Sequence, residues 1–251
     1  LVYDFALPPL LLDALFRGDA RPLRGWLAIR PHNAVNVLDT HDGIGVIDIG
    51  ADPTDPTRPG LLAPELLSEL VEEIHRRSDG TSRLATGAAA SNLDLYQVNC
   101  TYFDALGLDE DRYLVARLVQ CLLPGIPQVY YVGLLADGND VDLLRRTSVG
   151  RDINRHHFSA DEVVGALGRP VVQRLLRLLR WRAAHPVFVA DGPTGAGASF
   201  EVLDTADHEL GLVWDDGEHR VEALIDLSTA MWRITESGGG TDRTVASFDE
   251  L

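Results

Sequence analysis

Three short apolar runs, Val2–Leu7, Ala34–Leu38 and Ile126–Val132, set what this chain can become. Each has the length of a buried strand and is too short for a core helix. The stretches between them have helical period. Leu10 to Phe16 follows Pro8-Pro9, where proline suits the first turn of a helix, and the run ends near Gly18. Pro64 to Arg77 sets Leu66, Leu67, Leu70, Val71 and Ile74 at helical spacing, with charged residues on the other side. Asp109 opens the run DEDRYLVARLVQCLL, whose acidic first turn suits the helix dipole, and Pro124-Gly125 stops it. Asp161 to Ala184 reads as a long helix with Val164, Leu167, Val171, Leu175 and Leu178 on one face. Pro170 is set to kink or divide it.

Strands alternating with helices in this way predict parallel β/α units. The chain offers three, and an excursion from about Ile44 to Gly107 interrupts them. Three units cannot close a barrel, which needs eight in roughly 250 residues. The pattern fits a small open sheet or the back part of a barrel. After His185-Pro186 the pattern changes. Phe200–Leu203, Glu209–Trp214 and Arg220–Leu227 alternate with Asp/Gly turns such as Asp215-Asp216-Gly217, which predicts an all-β module.

Composition excludes several function classes. With 38 acidic against 22 basic residues the net charge is −16, the wrong sign for a nucleic-acid binder or an anionic lipid surface. No apolar run approaches the roughly 18 residues of a membrane-spanning helix, and no signal-peptide pattern opens the chain. Those readings predict a cytoplasmic protein with no membrane partner. Two cysteines, Cys100 and Cys121, lie in apolar stretches and are expected as buried, reduced thiols. The chain opens in mid-element without methionine, so its true N-terminus is expected upstream. Phosphate-loop and dinucleotide fingerprints are absent, as is the G-x-S-x-G elbow of a serine hydrolase. His156-His157 is the one histidine pair, and its side chains should point apart, so no metal is expected.

One strand end carries chemistry. Ala34–Leu38 runs into Thr40-His41-Asp42-Gly43, and a second apolar alternation follows at Ile44, Val46 and Ile47. In parallel β/α folds, ligands bind at the carboxyl ends of strands. From position alone, Asp42 fits a site carboxylate and an Asx-turn carboxylate equally. Arg151 and Arg155, in TSVGRDINRHH, read as loop arginines on spacing alone. Asp94, Tyr96 and Gln97 lie beside the small-residue stretch TGAAASN; they suit a hydroxyl-rich ligand, or simply a polar loop.

The stretches VYDFALPPLLLDALF, NAVNVLDTHDGIGVIDIG, TGAAASNLDLYQVNCTYFDALG, PGIPQVYYVGLLA and GRDINRHHFS together resemble the sucrose phosphorylase family, a branch of the alpha-amylase-type glycoside hydrolase superfamily. The likeness is dense through Ser159 and thinner in the β module. The strand-end His-Asp is a superfamily feature; NLDLYQVN and GRDINRH are more specific to the phosphorylases.

The resemblance implies an α/β fold: the carboxyl-terminal part of a (β/α)8 TIM barrel with an inserted subdomain, plus a carboxyl-terminal all-β domain. The implied division is barrel units six and seven over 1–43, the insertion over 44–107, the last barrel units over 108–187, and the β domain over 188–251. The implied reaction converts sucrose and inorganic phosphate to glucose 1-phosphate and fructose with retention, without cofactor. By resemblance Asp42 is the transition-state stabiliser and His41 binds glucosyl hydroxyls. Arg151 binds the far side of that ring. Asp94, Leu95, Tyr96 and Gln97 form the acceptor loop, which offers an acid to fructose in one state and a tyrosine to phosphate in the other. The family's nucleophile aspartate and acid/base glutamate lie upstream of Leu1, so the chain alone is expected to be inactive. A related glucoside such as sucrose 6'-phosphate, or a non-catalytic carbohydrate-binding module, are the alternative readings. A homodimeric full-length enzyme is kept open.

Overall fold

Asp4 ends the first strand and starts the first helix: its Oδ1 accepts the Leu7 N–H at 3.1 Å. The computed structural model describes residues 1–51, 58–85, 97–189, 197–240 and 242–251. In chain order β1 (Val2–Asp4) leads to α1 (Leu7–Arg17), α2 (Arg21–Leu27) and β2 (Ala34–Asn36). Next come β3 (Ile44–Gly45), a 3₁₀ turn over Val46–Ile49, α3 (Pro64–Arg77), α4 (Thr81–Leu84) and β4 (Gln97–Val98). Then follow α5 (Tyr102–Ala105), α6 (Glu110–Leu122), β5 (Ile126–Pro127), α7 (Tyr131–Leu134) and α8 (Val141–Thr147). A second 3₁₀ turn, Gly150–Asn154, precedes α9 (Ala160–Leu167), α10 (Pro170–Ala184) and α11 (Pro186–Val189). The described chain closes with β6 (Ser199–Leu203), β7 (Glu209–Asp215), β8 (His219–Asp226), β9 (Met231–Gly238) and β10 (Arg243–Val245).

β1, β2 and β5 form a parallel sheet in that order, with Val2 opposite Ala34 and Val35 opposite Ile126. Parallel neighbours need crossover connections; α1 and α2 supply the first, and α6 lies in the second. β3 and β4 pair antiparallel, Ile44 opposite Val98. The last five strands make an antiparallel meander in sequence order.

Several elements differ in extent from the sequence reading. The first run leaves the strand after Asp4, because the Asp4 carboxylate meets the Leu7 N–H and Pro8-Pro9 preset the helix. The third run keeps only Ile126–Pro127 as strand: Pro127 has no N–H to give the ladder, and the chain turns into α7. The apolar alternation after Gly43 holds as strand for two residues and then tightens into the 3₁₀ turn. The long helical run is divided, with Pro170 in the first turn of α10. The β sheet gains β9, where exposed and buried residues alternate from Met231, and β10.

α6 is the hub of the core. Every residue from Tyr113 to Leu122 is buried. One apolar cluster joins α6 to Leu11 and Leu15 of α1, Leu175 and Leu178 of α10, and Trp214 and Ile225 of the sheet. The indole Nε1 of Trp214 donates to the Leu122 carbonyl at 2.6 Å, so the antiparallel sheet is seated directly on the end of α6. Cys100 and Cys121 are free and buried; burial pushes the Cys121 thiol up to about 12. No described helix is long and apolar enough to cross a membrane.

The parallel strands are short, and side chains reinforce their pairing. Gln120 Nε2 donates to Asn36 O at 2.8 Å and to Gln128 O at 2.9 Å, bridging β2 to the end of β5. Asn36 Nδ2 donates to Pro124 O at 3.1 Å, and Arg30 Nη2 donates to Asn36 Oδ1 at 2.5 Å. Arg30 Nε also meets Asp4 Oδ2 at 2.7 Å. Arg117, fully buried, donates to Asp39 Oδ2 at 2.5 Å, to Gln120 Oε1 at 3.0 Å and to the Tyr113 hydroxyl at 2.7 Å.

Two glycine substitutions should move stability in opposite directions. A Cβ on Gly133 would stand 1.9 Å from Asp39 Oδ2 and 2.2 Å from Arg117 Nη2. Gly133→Ala is expected to destabilise by at least about 1–3 kcal/mol through overpacking. Gly165 lies within α9 with open space around its Cβ position. Gly165→Ala is expected to stabilise by roughly 0.5–1 kcal/mol. Denaturant midpoints of the two variants check this, and equal shifts would contradict it.

Candidate active site

β2 carries the chain to the site. Beyond Asn36, Val37 and Leu38 remain buried, and Asp39 turns inward to Arg117. The next residues form a turn closed by a hydroxyl: the Asp42 N–H donates to Thr40 Oγ1 at 3.1 Å. Threonine therefore supplies the turn bond, and the Asp42 carboxylate faces charged neighbours. Its Oδ1 lies 2.9 Å from Arg151 Nη1 and 3.8 Å from Arg155 Nη2. Its Oδ2 lies 3.4 Å from His41 Nε2. The His41 side chain is 68% exposed, against 31% for Asp42, so the imidazole stands at the rim.

Gly43 is required by proximity. A Cβ there would lie 2.8 Å from the Val98 carbonyl oxygen and 2.7 Å from Asn99 Oδ1. The glycine lets the turn press against the end of β4 and the residue after it. A small cleft beside it is lined by Phe5, Pro8, Asp39, Thr40, Asp42 and Cys100.

The residues 150–155 close the site from the other side. Asn154 Nδ2 donates to Thr40 O at 3.2 Å and to Asp42 O at 3.0 Å. Arg155 Nε donates to His41 O at 2.7 Å. Just beyond, His156 Nδ1 sits 2.6 Å from Asp140 Oδ2, the carboxylate that also caps α8 by accepting the Leu143 N–H. Burial pushes the Asp140 carboxyl upward, but the Leu143 N–H and His156 outweigh it and hold the group below the usual carboxylate range. Among the described residues, no group of three or more His, Cys, Asp or Glu side chains is placed to hold a metal ion.

Buried polar oxygens without a hydrogen-bond partner gather here. Among the described residues they are Asp39 Oδ1, Asp42 Oδ1, Gln97 Oε1, Asn99 Oδ1 and Asn154 Oδ1. Asp42 Oδ1 has the arginine ion pairs without an aligned hydrogen bond. All five belong to the turn or to the two segments that touch it. Buried acceptors are otherwise nearly always satisfied, and water or a hydroxyl-rich ligand would supply the donors that this cluster lacks.

Of the residues singled out from the sequence, His41, Asp42 and Arg151 are together. Gln97 opens β4 opposite Gly45 of β3. Asp94, Leu95 and Tyr96 lie outside the described residues. Sequence reasoning passed over Asn154, Asn99 and the Asp39–Arg117 pair. The signal for Arg117 was present: a charge flanked by apolar residues in YLVARLVQCLL. Asn154 was visible only as part of GRDINRH, and Arg155 read as a loop arginine because its carbonyl partner is 114 positions away.

No protein-family model matches the chain. It is 56% identical over 237 residues to a sucrose phosphorylase of Agrobacterium vitis, which covers 94% of this chain and 46% of that protein. It is 59% identical over 213 residues to the sucrose phosphorylase of Bifidobacterium adolescentis, covering 85% of this chain and 41% of the relative. The crystal structure of a sucrose 6F-phosphate phosphorylase from Thermoanaerobacter thermosaccharolyticum matches with a TM-score of 0.81 at 34% identity, over 98% of this chain and 48% of that one. The chain thus spans about half the length of the curated relatives it matches. With identity of that order along nearly all its residues, and a shared fold, the chain belongs to the sucrose phosphorylase family.

Proposed function

We propose that the protein containing this chain moves a glucosyl group from sucrose to inorganic phosphate, giving glucose 1-phosphate and fructose with retention. The observation that carries this reading is the 56% identity to a sucrose phosphorylase across 94% of the chain. The structural match to the sucrose 6F-phosphate enzyme is at 34% identity, which favours unphosphorylated sucrose. In this reading β1, β2 and β5 are the last three strands of an eight-stranded barrel. Residues 44–107 are an inserted subdomain, 1–43 and 108–187 are barrel, and 188–251 are a β domain. A cytoplasmic location is supported by two buried, unpaired cysteines.

Retaining transfer needs a carboxylate nucleophile and a carboxylic acid about 5–5.5 Å apart across the glucosidic bond. In this proposal both come from outside these 251 residues. As the bond breaks, positive charge spreads over the anomeric carbon and ring oxygen. Asp42 is the third acid: oriented by Arg151 at 2.9 Å and free of turn duty. It grips ring hydroxyls and favours the charged, flattened ring over the ground state, the differential binding that lowers a barrier. His41, exposed beside it, binds hydroxyls of the same ring, and Arg151 supports the ring from the far side. No cofactor takes part.

The test is release of glucose 1-phosphate from sucrose and phosphate by the full-length protein, with sucrose 6'-phosphate as the competing substrate. The isolated chain is expected to release none, and turnover by it would overturn the assignment of nucleophile and acid/base. Asp42→Asn in the full-length protein should lower kcat by roughly 10²–10³. A loss smaller than tenfold in a folded variant would make Asp42 a turn residue only.

The acceptor loop separates phosphorolysis from hydrolysis. Both share the first step, and the loop must favour phosphate over far more concentrated water by positioning it. Tyr96 is proposed to contact phosphate, and Asp94 and Gln97 to contact fructose hydroxyls, with Leu95 in the same loop. Tyr96→Phe is expected to lower the ratio of glucose 1-phosphate to free glucose as phosphate is varied, and Asp94→Ala to weaken fructose-side binding in both reactions. An unchanged ratio and phosphate KM in Tyr96→Phe would sink the loop assignment.

A further inference from the structure

We propose that Asn154 is a positioning residue for the transfer reaction, acting through the backbone of the Thr40–His41–Asp42 turn; this rests on Asp42 being the stabilising carboxylate. The turn lies beyond the end of β2 and before β3, so no ladder holds it. Its three successive carbonyls are instead held by one short segment. Thr40 O and Asp42 O share the two amide hydrogens of Asn154, at 3.2 and 3.0 Å, and His41 O takes the Arg155 Nε–H at 2.7 Å.

The chemistry of Asn154 fits that duty. The residue is 3% exposed, so water does not compete for its donors. Its orientation is fixed by what it faces. Exchanging the amide oxygen and nitrogen would aim an acceptor at two carbonyl oxygens. The amide oxygen then points away and has no protein partner. That is the arrangement expected where both donors are committed to the backbone of the turn.

Geometry links this clamp to the carboxylate. Arg151 and Asn154 belong to the same 3₁₀ turn, Gly150–Asn154. One rigid turn therefore holds Asp42 twice, by its carboxylate through Arg151 at 2.9 Å and by its backbone carbonyl through Asn154 at 3.0 Å. The turn is itself anchored: Ile153 is fully buried against Ala85 and Leu144, and its carbonyl accepts the Asp140 N–H at 2.7 Å. With both ends of Asp42 referred to one segment, the residue cannot shift as a whole without breaking both interactions. Displacements of about 1 Å at a reacting centre can lower rates by about 10²-fold.

The experiment uses the full-length protein with Asn154→Asp, nearly isosteric but turning an acceptor toward two carbonyls. kcat for transfer from sucrose should fall by about 10²-fold while the phosphate KM stays within about threefold. The ratio of variant to wild-type activity should rise as pH is lowered, because a protonated carboxyl regains one O–H donor. A residue that only supports the fold would lower melting temperature and activity together, and would leave the turn and the Asp42–Arg151 pair of the folded variant unmoved. A crystal structure of the variant should show the turn moved and the Asp42–Arg151 pair lengthened. If Asn154→Asp does not fold, Asn154→Ala is read for the same loss of kcat and the same displacement. Wild-type kcat in a variant, or a lost kcat with the turn unmoved, overturns the proposal. A wild-type protein that transfers no glucosyl group overturns the functional reading instead, and the displacement of the turn then decides the clamp alone.

Discussion

Arg117 is a charge with no access to solvent, and the parallel part of the fold is arranged around neutralising it. Burial works against the guanidinium, but Asp39 and Tyr113 outweigh it and hold the group above its ordinary value. Removing one partner of such a pair typically costs about 3–5 kcal/mol, because the other charge is left stranded. From Arg117 the polar chain runs through Gln120 to the carbonyls of Asn36 and Gln128, then through Asn36 and Arg30 to Asp4. Asp4 in turn accepts the Leu7 N–H of α1. Strands of two and three residues offer few ladder bonds of their own. The side-chain network fixes their register, and so fixes where β2 ends.

That end point matters because the site begins at once. Asp39 is held inward by Arg117, so Thr40, His41 and Asp42 must leave the sheet at a defined place. The turn then carries an exposed imidazole and a half-exposed carboxylate, with Gly43 pressed on Val98 and Asn99. An unsatisfied buried polar group costs about 1–3 kcal/mol. Such groups concentrated around one turn fit a site where local consistency of the fold lapses in favour of acceptors for a ligand or water.

The strongly patterned elements were legible in the sequence. Pro64–Arg77 is helical over its full reading, and Asp109 caps α6 by accepting the Arg112 N–H at 3.0 Å. The division at Pro170 followed from the missing N–H of proline. What was not legible depended on partners far along the chain. The run Ile126–Val132 turns into α7, where the Tyr113 hydroxyl of α6 meets the Gly133 carbonyl, a long-range contact that spacing does not show. At the site, His41 and Asp42 were visible because chemistry and strand end coincide in one short motif. Asn154 was not, since an asparagine in a polar loop shows its function only when the two carbonyls it holds, 112 and 114 positions away, are in place. Spacing carries local periodicity, and it carries no information on such long-range hydrogen bonds.

The proposed reaction asks an acidic chain to admit phosphate, an electrostatic difficulty that has to be solved locally. The net charge of −16 gives a field that repels an anion on approach. At physiological salt that field is damped beyond roughly 8 Å, so charges in the immediate rim decide what enters. Around Asp42 the charges are offset: two guanidinium groups face its Oδ1, at 2.9 and 3.8 Å, and Arg155 Nη1 also lies 3.7 Å from Asp152 Oδ1, so two acids meet two bases. Arg155 serves a second purpose there, because its Nε–H is committed to the His41 carbonyl. The same side chain thus fixes the turn and offsets the carboxylate. A lysine could supply the charge, but it lacks the planar fork that lets one nitrogen hold a carbonyl while another faces the carboxylate. In the proposed reaction Asp42 serves the glucosyl cation, and the arginines keep that same carboxylate from making the rim hostile to phosphate.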